Sequence, residues 1–338
     1  MRLESVLAAT GGRLLGEPCV TRFDEPTLSL KKVERGTLYL AKDPETIPEA
    51  LQRGAYGILA EKIPAVLDDE TAWIEVDSFA EALPRLLRLW LMEHPRAFYA
   101  VDASVLAYMA QMSYDHGIVT LDGSFETMSE AILASHPDQR LFCADTLFLD
   151  RMGVSYETPD PRPEEATILA STLFETTAVL EGRYHERLPV PPCTFDAFAR
   201  ALALLKQIGA HHTLSHLRPV PAFDPLFLTR DGHEAPFGAT QRVAVLVDSV
   251  RDCGCVEAFD RAAWLPNRLF LPTRIKLDCA IKTAIETYET LPDLVGKVTA
   301  HLHAQGFALV VGLRRREFLE ALQRFGTVSQ APITKGLF

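Results

Sequence analysis

The chain has 338 residues, of which 48% are hydrophobic and 23% are charged, and its formal net charge is −11. The length suits two or three domains, and the composition is that of an ordinary globular protein. The excess of acidic residues argues against binding to nucleic-acid phosphates or to an anionic membrane surface. No apolar run approaches the roughly 18 residues that span a bilayer, and no signal-peptide layout is found, so we expect a cytoplasmic protein without membrane insertion.

The first 95 residues alternate short helices with short apolar strands. A helix over residues 3–10 stops at the Gly11-Gly12 pair, and Ser78 is suited to cap a long helix that ends near Glu93. Further elements follow the same pattern, with strands at 13–15, 37–41, 57–60 and 72–76 and a helix at 46–54. This alternation predicts an α/β domain over residues 1–95.

The remaining chain continues the alternation and predicts a multi-domain α/β fold with mainly parallel sheets. We expect a central α/β domain over 96–238, with strands at 98–101, 118–121 and 141–144 and helices at 102–112, 125–134, 164–180 and 194–208. We expect a C-terminal α/β domain over 239–338, with strands at 242–248 and 307–311 and helices at 276–304 and 315–324.

Four segments of the N-terminal region occur in a characteristic order. They read ATGGRLLG at 9–16, VERGTLYLA at 33–41, ALQRGAYGILAE at 50–61 and WIEVD at 73–77. Their order resembles the N-terminal domain of the Mur ligases, the enzymes that build the peptide of bacterial peptidoglycan. The resemblance implies a site for a nucleotide-sugar or muramyl-peptide ligand. The family's Asp-Ser/Thr-Arg motif falls on Ser29-Leu30-Lys31, seven residues before the turn at Gly36, so Ser29, Lys31 and Gly36 are the candidate ligand-binding residues.

The resemblance also implies an ATP site, because a Mur ligase continues into a Gly-x-x-Gly-Lys-Thr/Ser phosphate loop. This string is absent from the sequence. The nearest strand, glycine turn and helix start is Asp122-Gly123-Ser124, and Phe125-Glu126 follow where the loop needs a glycine and a lysine. A carboxylate in that position repels a triphosphate, so we expect a loop that does not bind nucleotide and a protein without a cofactor. Asp122, Gly123 and Ser124 are kept as candidate ligand-binding residues.

Two weaker patterns point to other sites. His212 and His216 would lie one helical turn apart, and Cys253 and Cys255 could complete a zinc or iron site with them, although a C-x-C pair alone has little specificity. Asp248 ends an apolar strand, where open α/β sheets often bind ligands.

The leading functional hypothesis is a Mur-ligase-like protein that has lost ATP-dependent ligation and keeps a binding or scaffolding role in peptidoglycan synthesis. Its partner would be a nucleotide-sugar or muramyl-peptide ligand, or another cell-wall protein. One alternative is an active muramyl-peptide ligase with an atypical nucleotide site. A second alternative, from a different class, is a metal-binding protein that uses the histidines and the cysteine pair.

Overall fold

A computed structural model describes residues 1–63, 68–163, 165–248, 253–262, 266–277, 279–303 and 306–326. The chain divides into two compact units. Unit 1 consists of Met1–Leu106 and Tyr114–Asp160, and unit 2 of Ala107–Ser113 and the chain from Pro161 onward. The division into three domains therefore stays a prediction.

The N-terminal part of unit 1 forms a five-stranded sheet in the order β1-β5-β4-β3-β2. Only β1 is antiparallel to its neighbour. The central strands are buried on both faces, which explains their continuous apolar sequence. The elements are α1 Leu3–Thr10, β1 Arg13–Leu15, β2 Pro26–Thr27, β3 Leu38–Leu40, α2 Ile47–Gln52, β4 Gly57–Ala60, β5 Ala72–Glu75 and α3 Phe79–Glu93.

A second sheet of unit 1 has four parallel strands in the order β7-β8-β6-β9. Its elements in chain order are β6 Ala97–Ala100, α4 Ala103–Met112 (of which the part from Ala107 onward belongs to unit 2), β7 Ile118–Leu121, α5 Phe125–Leu133, β8 Arg140–Cys143, α6 Thr146–Met152 and β9 Tyr156–Glu157. The last residues of three strands are in register, with Cys143 opposite both Ala100 and Leu121. The connections that follow these strands therefore open at one edge of the sheet.

Unit 2 begins with an antiparallel three-stranded sheet followed by a helix: β10 Ala166–Ser171, β11 Thr176–Leu180, β12 Arg183–Leu188 and α7 Phe195–Gln207. A five-stranded sheet follows in the order β13-β14-β17-β15-β16, parallel except for β13. Its elements are β13 Asp224–Phe227, β14 Arg242–Val247, α8 Cys253–Arg261, β15 Asn267–Pro272, β16 Ala284–Tyr288, α9 Leu291–His303, β17 Gly306–Val311 and α10 Arg315–Phe325. The predicted α/β fold with mainly parallel sheets is confirmed.

Two helix predictions are wrong, and both concern segments with a stretch in which every second side chain packs toward the core. Residues 164–180 were expected to be helical, but β10 and β11 occupy most of this segment, and β11 alternates buried with half-buried side chains. Of the described residues in the predicted helix 276–304, α9 alone is helical. Before it, alternate residues pack on the same face of the sheet as α8, namely Ile275, Leu277, Cys279 and Ile281. This period of two is typical of extended chain rather than helix.

Asp260 of α8 forms hydrogen bonds with the end of the extended segment that precedes β16. Its carboxylate accepts hydrogen bonds from the Thr283 hydroxyl at 2.6 Å and from the backbone N–H groups of Thr283 and Lys282 at 2.6 and 2.9 Å. The hydroxyl of Thr283 is the main cause that lowers the pKa of Asp260 below its usual value, and the two N–H groups lower it further.

We expect the Asp260 carboxylate to make the stability of unit 2 depend on pH. Because its folded-state pKa is lowered, its contribution is present above the unfolded-state pKa and is lost over the acidic range in which pH falls through the folded-state pKa. Asp260→Asn should lower the urea midpoint at neutral pH and flatten the decline in this range. Denaturation by urea at several pH values measures this, with Asp231→Asn, in an exposed turn, as the control. Equal slopes for Asp260→Asn and the unmodified chain would contradict the assignment.

Candidate functional site

The predicted ligand segment of unit 1 is fixed in place by Glu130 of α5. The Glu130 carboxylate accepts hydrogen bonds from the Leu28 backbone N–H at 2.8 Å and from the Thr27 hydroxyl at 3.1 Å. It also pairs with the Lys32 ammonium at 3.1 Å. The Thr27 hydroxyl in turn accepts a hydrogen bond from the Ser29 N–H. One carboxylate thus sets the path of residues 27–32 along α5.

The three candidate residues on this segment have different surroundings. Ser29 is half-buried and precedes a short 3-10 helix, Leu30–Lys32. Lys31 is exposed, and its ammonium has no bonding partner within the described chain. Gly36 is buried with φ +94°, and a Cβ there would lie 2.1 Å from the Asp24 carboxylate. Gly36 therefore has a structural role in the turn, which leaves Lys31 as the side chain free to meet a ligand.

The Asp122-Gly123-Ser124 turn leads directly into α5, the helix that contains Glu130. Its polar groups satisfy the local backbone: Asp122 accepts from the Gly123 N–H at 2.8 Å, and the Ser124 hydroxyl caps α5 by accepting from the Thr127 N–H at 3.2 Å. Glu126 in the first turn is paired with Lys42, which follows β3, and this bond is the main cause that lowers the pKa of Glu126. The Glu126 carboxylate thus already compensates the partial positive charge at the N-terminus of α5.

The connection from β6 to α4 is the first place in the second sheet where a strand leads into a helix. It has only two residues, Val101 and Asp102, and the Val101 N–H still bonds to the Cys143 carbonyl at 3.0 Å. A phosphate loop needs roughly eight residues, with several backbone N–H groups turned toward the phosphates. This connection is too short to form one.

The carboxyl edge of the second sheet is acidic. Asp102, Asp122 and Asp145 each follow one of the three strands that end in register, and the connecting residues 101–102, 122–124 and 144–145 contain no lysine or arginine. Burial raises the pKa of the Cys143 thiol to about 11, and the negative charges of Asp145 and Asp122 add to the shift. The potential at this edge disfavours a bound polyphosphate.

Asp248 of unit 2 directly follows β14, which is the position predicted for it. Its N–H donates to the Pro221 carbonyl at 3.1 Å. Beside it, the Gly312 N–H after β17 donates to the Val247 carbonyl at 2.7 Å. The helices that follow β14 and β17 pack on opposite faces of the sheet, so Asp248 lies at a topological switch point.

The predicted metal ligands do not form a cluster within the part of the chain that the structure describes. Residues 211–216 are not helical, the His212 ring lies 3.1 Å from the Ala210 carbonyl, and His216 is exposed in a turn. Cys255 is buried in the apolar core between α8 and the sheet, and the side chain of Cys253 lies outside the described residues. Within the described ranges, no group of three or more His, Cys, Asp or Glu side chains could hold a metal ion.

Sequence reasoning missed Glu130 and Lys42, which connect the two predicted motifs. Glu130 lies on α5 between buried residues, and no local pattern distinguishes it from a solvent-exposed glutamate. The one available signal was its spacing of four residues from Glu126, which places both carboxylates on one side of the helix.

Of the comparisons with known proteins, the one with solved structures indicates a fold. No protein-family model matches the sequence, and no curated protein matches it. Among solved structures, MurF from Acinetobacter baumannii is similar, with a TM-score of 0.50 and 10% identity over 95% of this chain and 98% of that one. The chain has a Mur-ligase-like fold. A MurF ligase from Thermotoga maritima in complex with ADP gives a TM-score of 0.49 and 12% identity over 89% of this chain and 96% of that one.

The likeness to a Mur ligase therefore concerns nearly the whole chain, whereas the sequence motifs indicated it for the first quarter alone. None of the described helices is long and apolar enough to cross a membrane.

Proposed function

We propose that the protein is a cytoplasmic, Mur-ligase-like binding or scaffolding protein of peptidoglycan synthesis that does not carry out ATP-dependent ligation. We further propose that it is organised in three domains, 1–95, 96–238 and 239–338. The observation that carries the proposal is the two-residue connection between β6 and α4, together with the aspartate that each of the three connections at this edge contains, its own included.

Electrostatics supports the loss of nucleotide binding. A phosphate loop holds a triphosphate through backbone N–H groups, a lysine and a magnesium ligand. Here the connection after β7 uses its Ser124 hydroxyl and its Asp122 carboxylate for local capping, and Lys42 is paired with Glu126. An arriving phosphate would have to displace these bonds and approach three carboxylates.

The retained N-terminal sheet supports a remaining role in binding. Glu130 fixes residues 27–32, and the Lys31 ammonium is left exposed at the position that the Mur ligase resemblance assigns to a basic ligand-binding residue. A single ammonium suits the diphosphate or carboxylate groups of a nucleotide-sugar or muramyl-peptide. The acidic remainder of the chain would limit this contact to one point of the ligand.

Calorimetry with the purified full chain tests the proposal. We expect no heat of binding from magnesium ATP at micromolar concentrations, and no phosphate release when ATP, a UDP-N-acetylmuramoyl-peptide and amino acids are supplied together. We expect measurable binding of the UDP-N-acetylmuramoyl-peptide alone. Micromolar ATP binding, or release of phosphate that depends on the muramyl-peptide, would overturn the proposal in favour of an active ligase.

Lys31→Gln should weaken binding of the UDP-N-acetylmuramoyl-peptide about tenfold, since it removes one charge-assisted hydrogen bond to the ligand. The thermal midpoint should stay unchanged, because Lys31 has no partner within the described chain. Lys62→Gln is the matched control, because Lys62 is equally exposed and lies between β4 and β5, away from the motif. If both substitutions weakened binding equally, a nonspecific charge effect would replace the assigned site.

A further inference from the structure

A cavity of about 470 Å³ lies in unit 2, beside the five-stranded sheet and away from the carboxyl edge that contains Asp248. Its lining residues come from β15, β16 and α9, and they are Arg268, Glu286, Gly296, Lys297, Ala300 and His301. Four of these six side chains are charged or titratable. The volume is within the range of small-molecule sites in proteins.

The positions of the lining residues explain why the cavity exists. Arg268 and Glu286 are each two residues before a side chain that packs under α9, Phe270 and Tyr288 respectively, so they project from the same face of the sheet. Gly296 and Ala300 are one helical turn apart on α9. Because these two residues have almost no side chain, the helix leaves space above the paired side chains of the strands.

The cations in the cavity have more donors than the protein has acceptors for them. The Arg268 guanidinium and the Lys297 ammonium together carry eight N–H groups. One Arg268 N–H bonds to Glu286 at 2.9 Å, and Lys297 bonds to Asp293 at 2.9 Å and to the Thr287 carbonyl at 2.7 Å. The Arg268 Nε is buried and has no hydrogen-bond partner among the described residues.

The acceptors around the cavity, in contrast, are already bonded. Glu286 is paired with Arg268, Asp293 with Lys297, and the His301 Nε2 lies 3.0 Å from the Phe307 carbonyl. A ligand that completes this arrangement must supply acceptors, and negatively charged oxygens are the best acceptors for guanidinium and ammonium groups. The unused donors thus select against a cationic ligand.

We propose that this cavity binds a small oxyanion, with Arg268 and Lys297 as its ligand-contacting residues. The oxyanion is a phosphoryl or a carboxylate group, because both present paired oxygens that accept hydrogen bonds from a guanidinium. All lining residues of the cavity lie in unit 2, so the site does not depend on the ligand proposed for unit 1.

Titration of the full chain with inorganic phosphate and, separately, with succinate tests the proposal and distinguishes the two sources. Isothermal calorimetry gives the affinity, and the ring ¹⁵N signals of His301 report binding at this cavity rather than elsewhere. We expect saturable binding of at least one probe with a shift of the His301 signals. No saturable binding of either probe, or binding without a His301 shift, would overturn the site.

Three variants sharpen the test. Arg268→Gln and Lys297→Gln should each weaken binding about tenfold or more. Glu286→Gln should strengthen it several-fold, because it removes the negative charge that competes for Arg268. Arg274→Gln, an exposed arginine after β15, is the control and should leave binding unchanged. Equal losses in Arg268→Gln and Arg274→Gln, or weaker binding in Glu286→Gln, would contradict the proposal, and thermal midpoints verify that each variant is folded.

Discussion

Replacing Glu130 by alanine is expected to lower the free energy of unfolding of unit 1 by about 3 kcal/mol. The carboxylate is mostly buried, with 20% of the side chain exposed, and it accepts hydrogen bonds from Leu28 and Thr27. Its removal leaves a backbone N–H and a hydroxyl without their acceptor. The ion pair with Lys32 adds little, because Lys32 is half exposed. Urea denaturation followed by tryptophan fluorescence measures the change, since two of the three tryptophans, Trp73 and Trp90, lie in unit 1.

The matched control is Glu81→Ala on α3. Glu81 is 68% exposed and makes one contact, with Arg85 four residues on, so its loss should cost less than about 0.5 kcal/mol. Glu130→Ala should also weaken binding at Lys31, because residues 27–32 lose the contact that fixes their path. If both variants were destabilised equally, the loss would not be specific to the contacts of Glu130, because alanine is the better helix former at both positions, and the assigned anchoring role of Glu130 would be wrong.

The sequence predicts the first half of the fold well, because the elements there have strong, separate signals. The helix predicted at 3–10 and the strand at 118–121 occur with those bounds, and Gly11 ends the first helix with φ 69° as expected of a glycine past a C-terminus. Residues 164–180 and 276–290 were assigned incorrectly. Their apolar residues satisfy a helical and an extended period over short stretches, and tertiary packing decides between the two.

The candidate site could be predicted only in part. Motif order located Lys31 and the Asp122–Ser124 turn, since both stand at defined distances from glycine turns. It could not reveal that Glu130 connects them, because this contact joins residues about 100 positions apart. It also could not show that the connection after β6 is reduced to two residues, since the sequence does not mark where a strand ends and a helix begins to within a residue.

The two-residue connection after β6 and the aspartates at the carboxyl edge of the second sheet have a common physical consequence. A short connection keeps β6 and α4 closely joined, and the Asp122 and Asp145 carboxylates at this edge accept hydrogen bonds from local backbone N–H groups. The sheet can therefore be stable without nucleotide. Its stability should not rise on addition of magnesium ATP, whereas a ligand of the native state raises apparent stability by mass action.

Replacing Gly57 by alanine is expected to destabilise unit 1 by about 3 kcal/mol, because the core has no space for the added methyl group. Gly57 begins β4, the central strand of the first sheet. A Cβ there would lie 2.4 and 2.8 Å from two ring atoms of Phe23, whose side chain is fully buried. The ring belongs to the buried apolar cluster that also contains residues of α1 and α3, so we expect the strain to stay in the folded state. Urea denaturation measures the loss.

A double-mutant cycle with Phe23→Leu separates this clash from a general effect of alanine in a strand. Phe23→Leu alone should cost about 1 to 2 kcal/mol, since it removes buried ring atoms. In the double variant, the smaller leucine leaves room for the new methyl group, so the combined cost should be at least about 1 kcal/mol less than the sum of the two single costs. Additive costs would mean that Gly57 and Phe23 do not meet in the core, and that glycine is required at position 57 for a reason other than close approach.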